Sequence, residues 1–269
     1  MENRHLRNKK SLGQNFLIDQ NIINKIIKIG NINKNNRILE IGPGNGNLTE
    51  KILKLKAKSI ILVEKDKNLS LLLSKKFYNF SNLKIINDDI LNQIKIYDFK
   101  NNFIVYGNLP YNISTQILAS LITLDKWPPW YESLIFMFQK EVADRILAKK
   151  NTSNYGRLTI LCNWRLDIKK HFDVSKNCFF PKPKVNSTVL SFTPKKNIKF
   201  KIKNPQNLEY ITRIFFSGRR KMINKSFKKL FGISKNLINE LNLDLNQRPG
   251  ELSNEMYYKI TMKYEQLNN

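Results

Sequence analysis

Short apolar runs alternate with amphipathic stretches along this chain, and the alternation persists through most of its length. Arg37 to Ile41, Ser59 to Val63, Leu83 to Asn87 and Phe103 to Tyr106 are brief β-branched or aromatic runs with the length of buried strands. Ahead of the first, Ile22, Ile23, Ile26, Ile27 and Ile29 recur at helical spacing, and Asp19 stands where that helix needs an N-cap. A second helix is predicted to begin near Leu48. Strands alternating with helices imply an α/β fold with a doubly wound, mostly parallel sheet. Tyr131 to Phe138 predicts a fifth strand and Val142 to Lys150 a helix. The apolar run Leu158 to Trp164 reads as a sixth strand. The alternation from Val185 to Phe192 reads as a seventh, antiparallel to the sixth because their connection is short.

After Pro194 the pattern becomes helical and basic, with helices expected over Tyr210 to Phe216, Arg219 to Phe231, Lys235 to Leu241 and Glu251 to Gln266. This places a domain boundary at 199/200, with a small all-helical domain over 200–269. A chain of 269 residues at 41% hydrophobic content can build one substantial core and a smaller second unit. No run approaches the roughly 18 apolar residues needed to cross a bilayer. The N-terminus lacks an apolar signal segment, so a cytoplasmic protein is expected. Cys162 and Cys178 form no C-x-x-C pair, which argues against a zinc site or disulfide framework.

The formal net charge of +26 changes the picture further. Abundant Lys, Asn and Ile reflect A/T-rich codon usage, which spreads lysine over a solvated surface. Codon usage does not account for clusters at Arg4 to Lys10, Lys195 to Lys203 and Arg219 to Lys229. Such clusters suit a polyanion partner.

The candidate chemistry lies at strand ends. Gly42-Pro43-Gly44-Asn45-Gly46 follows the first long strand and precedes a helix, the context of a nucleoside-binding turn. Its spacing differs from G-x-G-x-x-G, and no Walker lysine accompanies it. Glu64 ends the next strand, 24 residues after Glu40, at the interval expected of a ribose-binding acid. Asp88 and Asp89 follow the third strand. Either can cap the next helix, and one of them, preferably Asp89, can accept a bond from an adenine amine. Asn108-Leu109-Pro110-Tyr111 leaves the fourth strand, since Pro110 cannot continue a central strand. There an amide oxygen and a carbonyl can accept from an exocyclic amine while the Tyr111 ring stacks on the base; alone, the tetrapeptide also fits a surface turn.

In this order the pieces resemble the ribosomal RNA adenine N6,N6-dimethyltransferases, and within them the small-subunit branch. The landmarks are QNFL (14–17), EIGPGNG (40–46), VEKD (63–66), NDDI (87–90), GNLPYNIST (107–115), QKEVADR (139–145), YGRL (155–158), FFPKPKV (179–185) and SGRRKM (217–222). The resemblance implies a class I methyltransferase fold using S-adenosyl-L-methionine. It implies that Gly42, Gly44 and their neighbours hold the methionine part of the cofactor, Glu64 the ribose and Asp89 the adenine amine. Asn15 and Leu17 would line the same pocket from an N-terminal lid. Asn108 and the carbonyl of Leu109 would receive the target N6 hydrogens at the Pro110-stiffened turn, and Tyr111 and Phe179 would sandwich the base. The implied substrate is a pair of adjacent adenosines in the 3′-terminal hairpin of 16S rRNA within the 30S subunit or its precursor. Arg219, Arg220 and Lys221 are assigned to rRNA phosphates, and a monomer is expected. The competing readings are a large-subunit adenine methyltransferase of the macrolide-resistance type, a non-catalytic rRNA-binding assembly factor and a DNA adenine methyltransferase. The NLPY form and SGRRKM oppose the first, the intact set Glu64, Asp89, Asn108 and Tyr111 opposes the second, and the basic helical tail opposes the third.

Overall fold

The computed structural model describes residues 14–97, 99 and 102–268. The basic segment Arg4 to Lys10, and Gly13 beyond it, lie outside the described residues. The elements run β1 (Phe16–Leu17), α1 (Gln20–Ile29), β2 (Arg37–Ile41), α2 (Asn47–Lys54), β3 (Ser59–Val63), α3 (Lys67–Lys76), β4 (Leu83–Ile86), α4 (Ile90–Ile96), β5 (Phe103–Asn108), α5 (Ser114–Ile122) and β6 (Tyr131–Gln139). There follow α6 (Lys140–Ile146), α7 (Arg157–Arg165), β7 (Leu166–Val174), β8 (Phe179–Phe180), β9 (Ser187–Pro194), α8 (Pro205–Phe216), α9 (Asn224–Phe231), α10 (Lys235–Leu241) and α11 (Asn254–Leu267).

Seven strands form one sheet in the order β4-β3-β2-β5-β6-β9-β7. The pairs from β4 to β6 are parallel and β9 is antiparallel to β6, so the expected mostly parallel, doubly wound sheet is present. β2 is the starting point: the chain builds outward from it to β3 and β4 on one side, then returns to β5 and β6 on the other. The strand order therefore reverses between β2 and β5, which is where open α/β sheets bind ligands. Ile41 lies level with both Val63 and Gly107, and Val63 with Ile86. Gly42, Glu64, Asn87 and Asn108 consequently emerge along one edge. Asp19, Asp66 and Asp89 each cap the helix that follows, accepting from backbone N–H groups in its first turn. The core joins Ile23, Ile26 and Ile27 of α1 to Ile38, Ile60, Leu62, Ile104 and Tyr106 of the sheet.

Two expectations are corrected. Leu158 to Trp164 is not a strand but most of α7, which starts after Gly156, where Thr159 Oγ1 accepts from the Gly156 N–H and donates to the Arg145 carbonyl. Thr159, Ile160, Leu161, Cys162 and Trp164 are all buried, so no polar face was present to reveal a helical period. The strand is β7 instead, a polar edge strand beside β9, and β9 also pairs with β6, antiparallel. Lysines along Leu166–Val174 obscure its alternation, as is common for edge strands.

By contacts the chain divides into two compact units, Met1–Leu118 with Pro129–Ala143 and Lys169–Thr193, and Ala119–Pro128 with Asp144–Ile168 and Pro194–Asn269. The second unit thus joins the C-terminal stretch from Pro194 onward to two earlier stretches. Arg165 ties them together inside that unit: its guanidinium lies 4.7 Å from the Trp127 ring and 4.0 Å from that of Trp164. It also donates to the carbonyls of Ile122 and Leu124 at 2.8 and 2.7 Å. Buried Glu265 of α11 accepts from the N–H groups of Lys203 and Asn204, each at 2.8 Å, and so fixes the entry to α8.

Gly30, which ends α1, is required by close packing. A Cβ there would collide with the hydroxyl of Tyr106, which is fully buried and donates to the Ile27 carbonyl at 3.1 Å. Gly30→Ala is expected to lower the unfolding free energy by about 1–3 kcal/mol. Adding Tyr106→Phe, which removes the clashing oxygen, should recover part of the loss in urea denaturation. Strictly additive losses would show that the two residues do not compete for this space.

Candidate active site

A cleft opens over the carboxyl ends of β2, β3, β4 and β5. Its lining includes Asn15, Leu17, Gly42, Glu64, Asp89, Asn108, Leu109, Pro110 and Tyr111, so one wall brings together residues scattered over nearly a hundred positions of sequence. The turn after β2 takes positive φ at Gly42, Gly44 and Gly46 (+63°, +59° and +79°). At Gly44 a side chain is excluded twice over, by φ and by Phe16, whose ring would stand 2.7 Å from a Cβ.

Glu64 is buried, and both its oxygens are occupied: Oε2 accepts from the Gly44 N–H at 3.1 Å and Oε1 from the Asp66 N–H at 2.9 Å. Burial raises its pKa despite these bonds. Glu40, on the cleft floor, accepts from Thr49 Oγ1 at 2.6 Å. Its burial raises the pKa to about 7, opposed by the Thr49 bond and reinforced by the charge of Glu64.

Both readings of the acidic pair after β4 have a basis. Asp89 does cap α4, its Oδ1 accepting from the Leu91 N–H at 2.9 Å. Its Oδ2 meets Lys65 Nζ at 2.9 Å across the cleft edge. Asp88 is turned to Gln93 and Asn92, whose amides hold its pKa below the usual carboxylate range. Asp89 is thus the carboxylate with an ion pair that an incoming polar group can displace.

Asn108 donates from Nδ2 to the Asn15 carbonyl at 2.8 Å. A carbonyl can only accept, so this bond fixes the amide and turns Oδ1 the other way. The Tyr111 hydroxyl lies 2.9 Å from Oγ of buried Ser187 on β9, which locks the ring's position. Burial raises the Tyr111 pKa and keeps the phenol protonated at neutral pH. Residues 15–17 form a strap across the cleft. Asn108 holds it at Asn15, Asn47 Nδ2 donates to the Leu17 carbonyl at 2.7 Å, and β1 pairs with β8.

Phe179 is not on the cleft wall. It faces Leu17 in the β1–β8 pair, is 3% exposed and belongs to the core, because strand alternation points it inward and its neighbour Phe180 outward. Arg219, Arg220 and Lys221 occupy an exposed turn between α8 and α9 rather than a helix. The Arg219 guanidinium donates to the carbonyls of Thr152, Ser153 and Tyr155. Asn47, Lys65 and Ser187 escaped the sequence reading. Asn47 was detectable only as a polar residue just after the glycine turn, and the other two carry no local signal.

A doubly wound sheet with a glycine turn, a ribose-spaced acid and an asparagine-proline turn over one cleft defines a class I methyltransferase. The comparisons narrow this. The family model for ribosomal RNA adenine dimethylase matches residues 5–266. Ribosomal RNA small subunit methyltransferase A of Pelagibacter ubique (strain HTCC1062) is 51% identical over 259 residues, covering 96% of this chain and 97% of that protein. The protein of the same name from Rhizobium etli (strain CIAT 652) is 39% identical over 256 residues, covering 93% and 90%. A dimethyladenosine transferase from Plasmodium falciparum superposes with a TM-score of 0.79 at 27% identity, covering 94% of this chain and 98% of its own. The 23S rRNA methyltransferase ErmE shares the fold, with a TM-score of 0.67 at 22% identity over 93% of this chain and 100% of its own. The chain belongs to the ribosomal RNA adenine dimethylase family. Its activity is accordingly S-adenosylmethionine-dependent dimethylation of adenine in rRNA.

The residues present fit that cofactor. The positive-φ turn offers a backbone cradle, and Glu40 and Glu64 in the cleft lining place carboxylates where a ligand carrying hydroxyl, sulfonium and ammonium groups would meet acceptors. Because the folded-state pKa of Glu40 lies above the ordinary carboxylate value of 4.5, the folded protein binds the proton more tightly than the unfolded chain. The contribution of Glu40 to stability is therefore fully present below about pH 4.5 and is lost as pH rises toward and through about 7, a loss on the order of 3 kcal/mol. Glu40→Gln, which can still accept from Thr49, is expected to remove most of this slope in ligand-free melts between pH 5 and 8. The part due to Glu64 should remain, and an unaltered profile would contradict the assignment.

Proposed function

We propose that this enzyme dimethylates N6 of two adjacent adenosines in the 3′-terminal hairpin of 16S rRNA, acting as a cytoplasmic monomer on the 30S subunit or its precursor. The observation that carries this reading is the fixed Asn108 amide at the end of β5, near Pro110 and on the strand next to the one that leads into the glycine turn. Support for the small-subunit substrate comes from relatives named for it that align over nearly their whole lengths. Among the described residues, no helix is long and apolar enough to cross a membrane.

The N6 lone pair of adenine is delocalised into the ring and is a poor nucleophile. Asn108 Oδ1 and the Leu109 carbonyl accept the two N6 hydrogens off the ring plane, which makes the nitrogen pyramidal and aims its lone pair. Pro110 stiffens the turn carrying both acceptors. Tyr111 stacks on the extruded base, its ring held by Ser187. The expected sandwich is kept only on this side, since Phe179 is packed into the core. Bound S-adenosylmethionine supplies the electrophilic methyl group. Gly42, Gly44 and the strap residues Asn15 and Leu17 enclose its methionine end, Glu64 takes the ribose hydroxyls, and Asp89 takes the adenine amine in place of Lys65. The proton released from nitrogen leaves to water, as the described cleft lining holds no His or Cys to receive it. In the second round one hydrogen remains, so a single acceptor orients the monomethylated amine.

Asn108→Ala removes both an acceptor and the bond to Asn15. Turnover on unmethylated small subunits should fall at least about 100-fold, while calorimetry shows a much smaller change in cofactor affinity. Asn47→Ala, which loosens only the strap, should show the reverse balance. Normal turnover in Asn108→Ala would remove the residue from the mechanism.

The charged turn is divided the same way. Arg220→Gln with Lys221→Gln should weaken subunit binding and lower its salt slope by about 1–2. Arg219→Gln should chiefly lower the melting temperature, because its donors hold the 152–155 loop. A salt slope unmoved by the Arg220 and Lys221 substitutions would make this turn an ordinary solvated surface.

A further inference from the structure

The segment after β8 is unusual in what it leaves in water. In the two-stranded ladder, Phe16 is opposite Phe180 and Leu17 opposite Phe179. Leu17 and Phe179 face the core, so Phe16 and Phe180 share the other face, where directly opposed side chains are near neighbours. Phe16 lines the cleft and covers Gly44, whereas Phe180 is 65% exposed. Ile18 and Val185 are also exposed, at 47% and 43%, and the Ile18 N–H is bonded to the Cys178 carbonyl at 2.9 Å. A lone exposed apolar residue needs no explanation. Phe180 is different, because it stands opposite the cleft-lining Phe16 and is followed by alternating charge.

Pro181 and Pro183 alternate with exposed Lys182 and Lys184. The prolines restrict the backbone, so little freedom remains to be lost when the ring and both ammonium groups engage a partner. No Asp or Glu occurs between Asp173 and Glu209, so the segment carries no acidic side chain to oppose an anion. A flat apolar face beside cations, at the entrance to a cleft that receives a base, has the chemistry of a single-stranded nucleic-acid platform.

We infer that Phe180, with Lys182 and Lys184, binds the RNA nucleotide adjacent to the target adenosine, its base stacked on the Phe180 ring and its phosphates on the two lysines. This rests on the function proposed above, and it gives the enzyme a second contact that holds the strand while the target base occupies the cleft. Phe180 is a positioning residue here and does not touch the reacting atoms.

The test compares wild type with Phe180→Ala, Phe180→Trp, Phe180→Leu and the pair Lys182→Gln and Lys184→Gln. On unmethylated small subunits, Phe180→Ala should raise KM about 10-fold, with kcat and cofactor affinity within about twofold of wild type. Phe180→Trp should restore KM. Phe180→Leu, apolar but without a flat face, should not, and this comparison decides the matter if the alanine variant melts early. The lysine pair should lower the salt slope by about 1–2. Independently of turnover, a short single-stranded oligoadenosine carrying 2-aminopurine should be quenched by wild type and Phe180→Trp but not by Phe180→Ala. Equal KM across the Phe180 series, or equal quenching, would overturn the inference. So would loss of binding to phosphatidylglycerol vesicles in Phe180→Ala with RNA binding intact, which would make the patch a lipid surface. If wild type methylates no small subunit, the proposed substrate falls, and the quenching result still decides the role of Phe180.

Discussion

Parallel register is the constraint on which this molecule depends. Because Ile41 is level with Val63 and with Gly107, the next residues, Gly42, Glu64 and Asn108, emerge at the same height. Parallel strands need crossover connections, so each returns through a helix and the chain reaches that edge again and again. The glycine turn, the acid after β3, the carboxylate after β4 and the amide after β5 become neighbours without any one of them being near another in sequence. A one-residue slip in a single pair would point its side chains to the opposite face and take one member out of the group.

That arrangement also explains the unusual electrostatics of the cleft floor. Glu40 and Glu64 are both withdrawn from water, and each is held by bonds from its own surroundings. Two buried acids near each other resist sharing negative charge, and burial weighs more than the bonds that oppose it. A cationic ligand relieves the conflict.

The parts of the fold that could be read from the sequence were those in which burial is one-sided. The strands from β2 to β6 announced themselves as apolar runs bounded by glycine, proline or acid, and Asp19 marked the start of α1. α7 and β7 were interchanged because their environments mask periodicity: the helix is buried nearly all round and the edge strand is rich in lysine. The cleft residues at strand ends were legible because strand ends are predictable. Asn47, Lys65 and Ser187 were not, since each acts through a partner distant in sequence. Phe179 shows a limit of another kind. Its motif was clear, but which of two adjacent phenylalanines turns inward is decided by pairing with β1.

Asn108 carries a consequence beyond its own bond. Its amide is asymmetric, with a donor at one end and an acceptor at the other, and the Asn15 carbonyl has already chosen the end it faces. A half-turn of the side chain would exchange the two ends, setting oxygen against oxygen at the strap and a donor toward the cleft. The handedness of a single planar group is thus written by a main-chain atom 93 residues upstream, and the cover over the cleft and the polarity of its floor are set by the same choice.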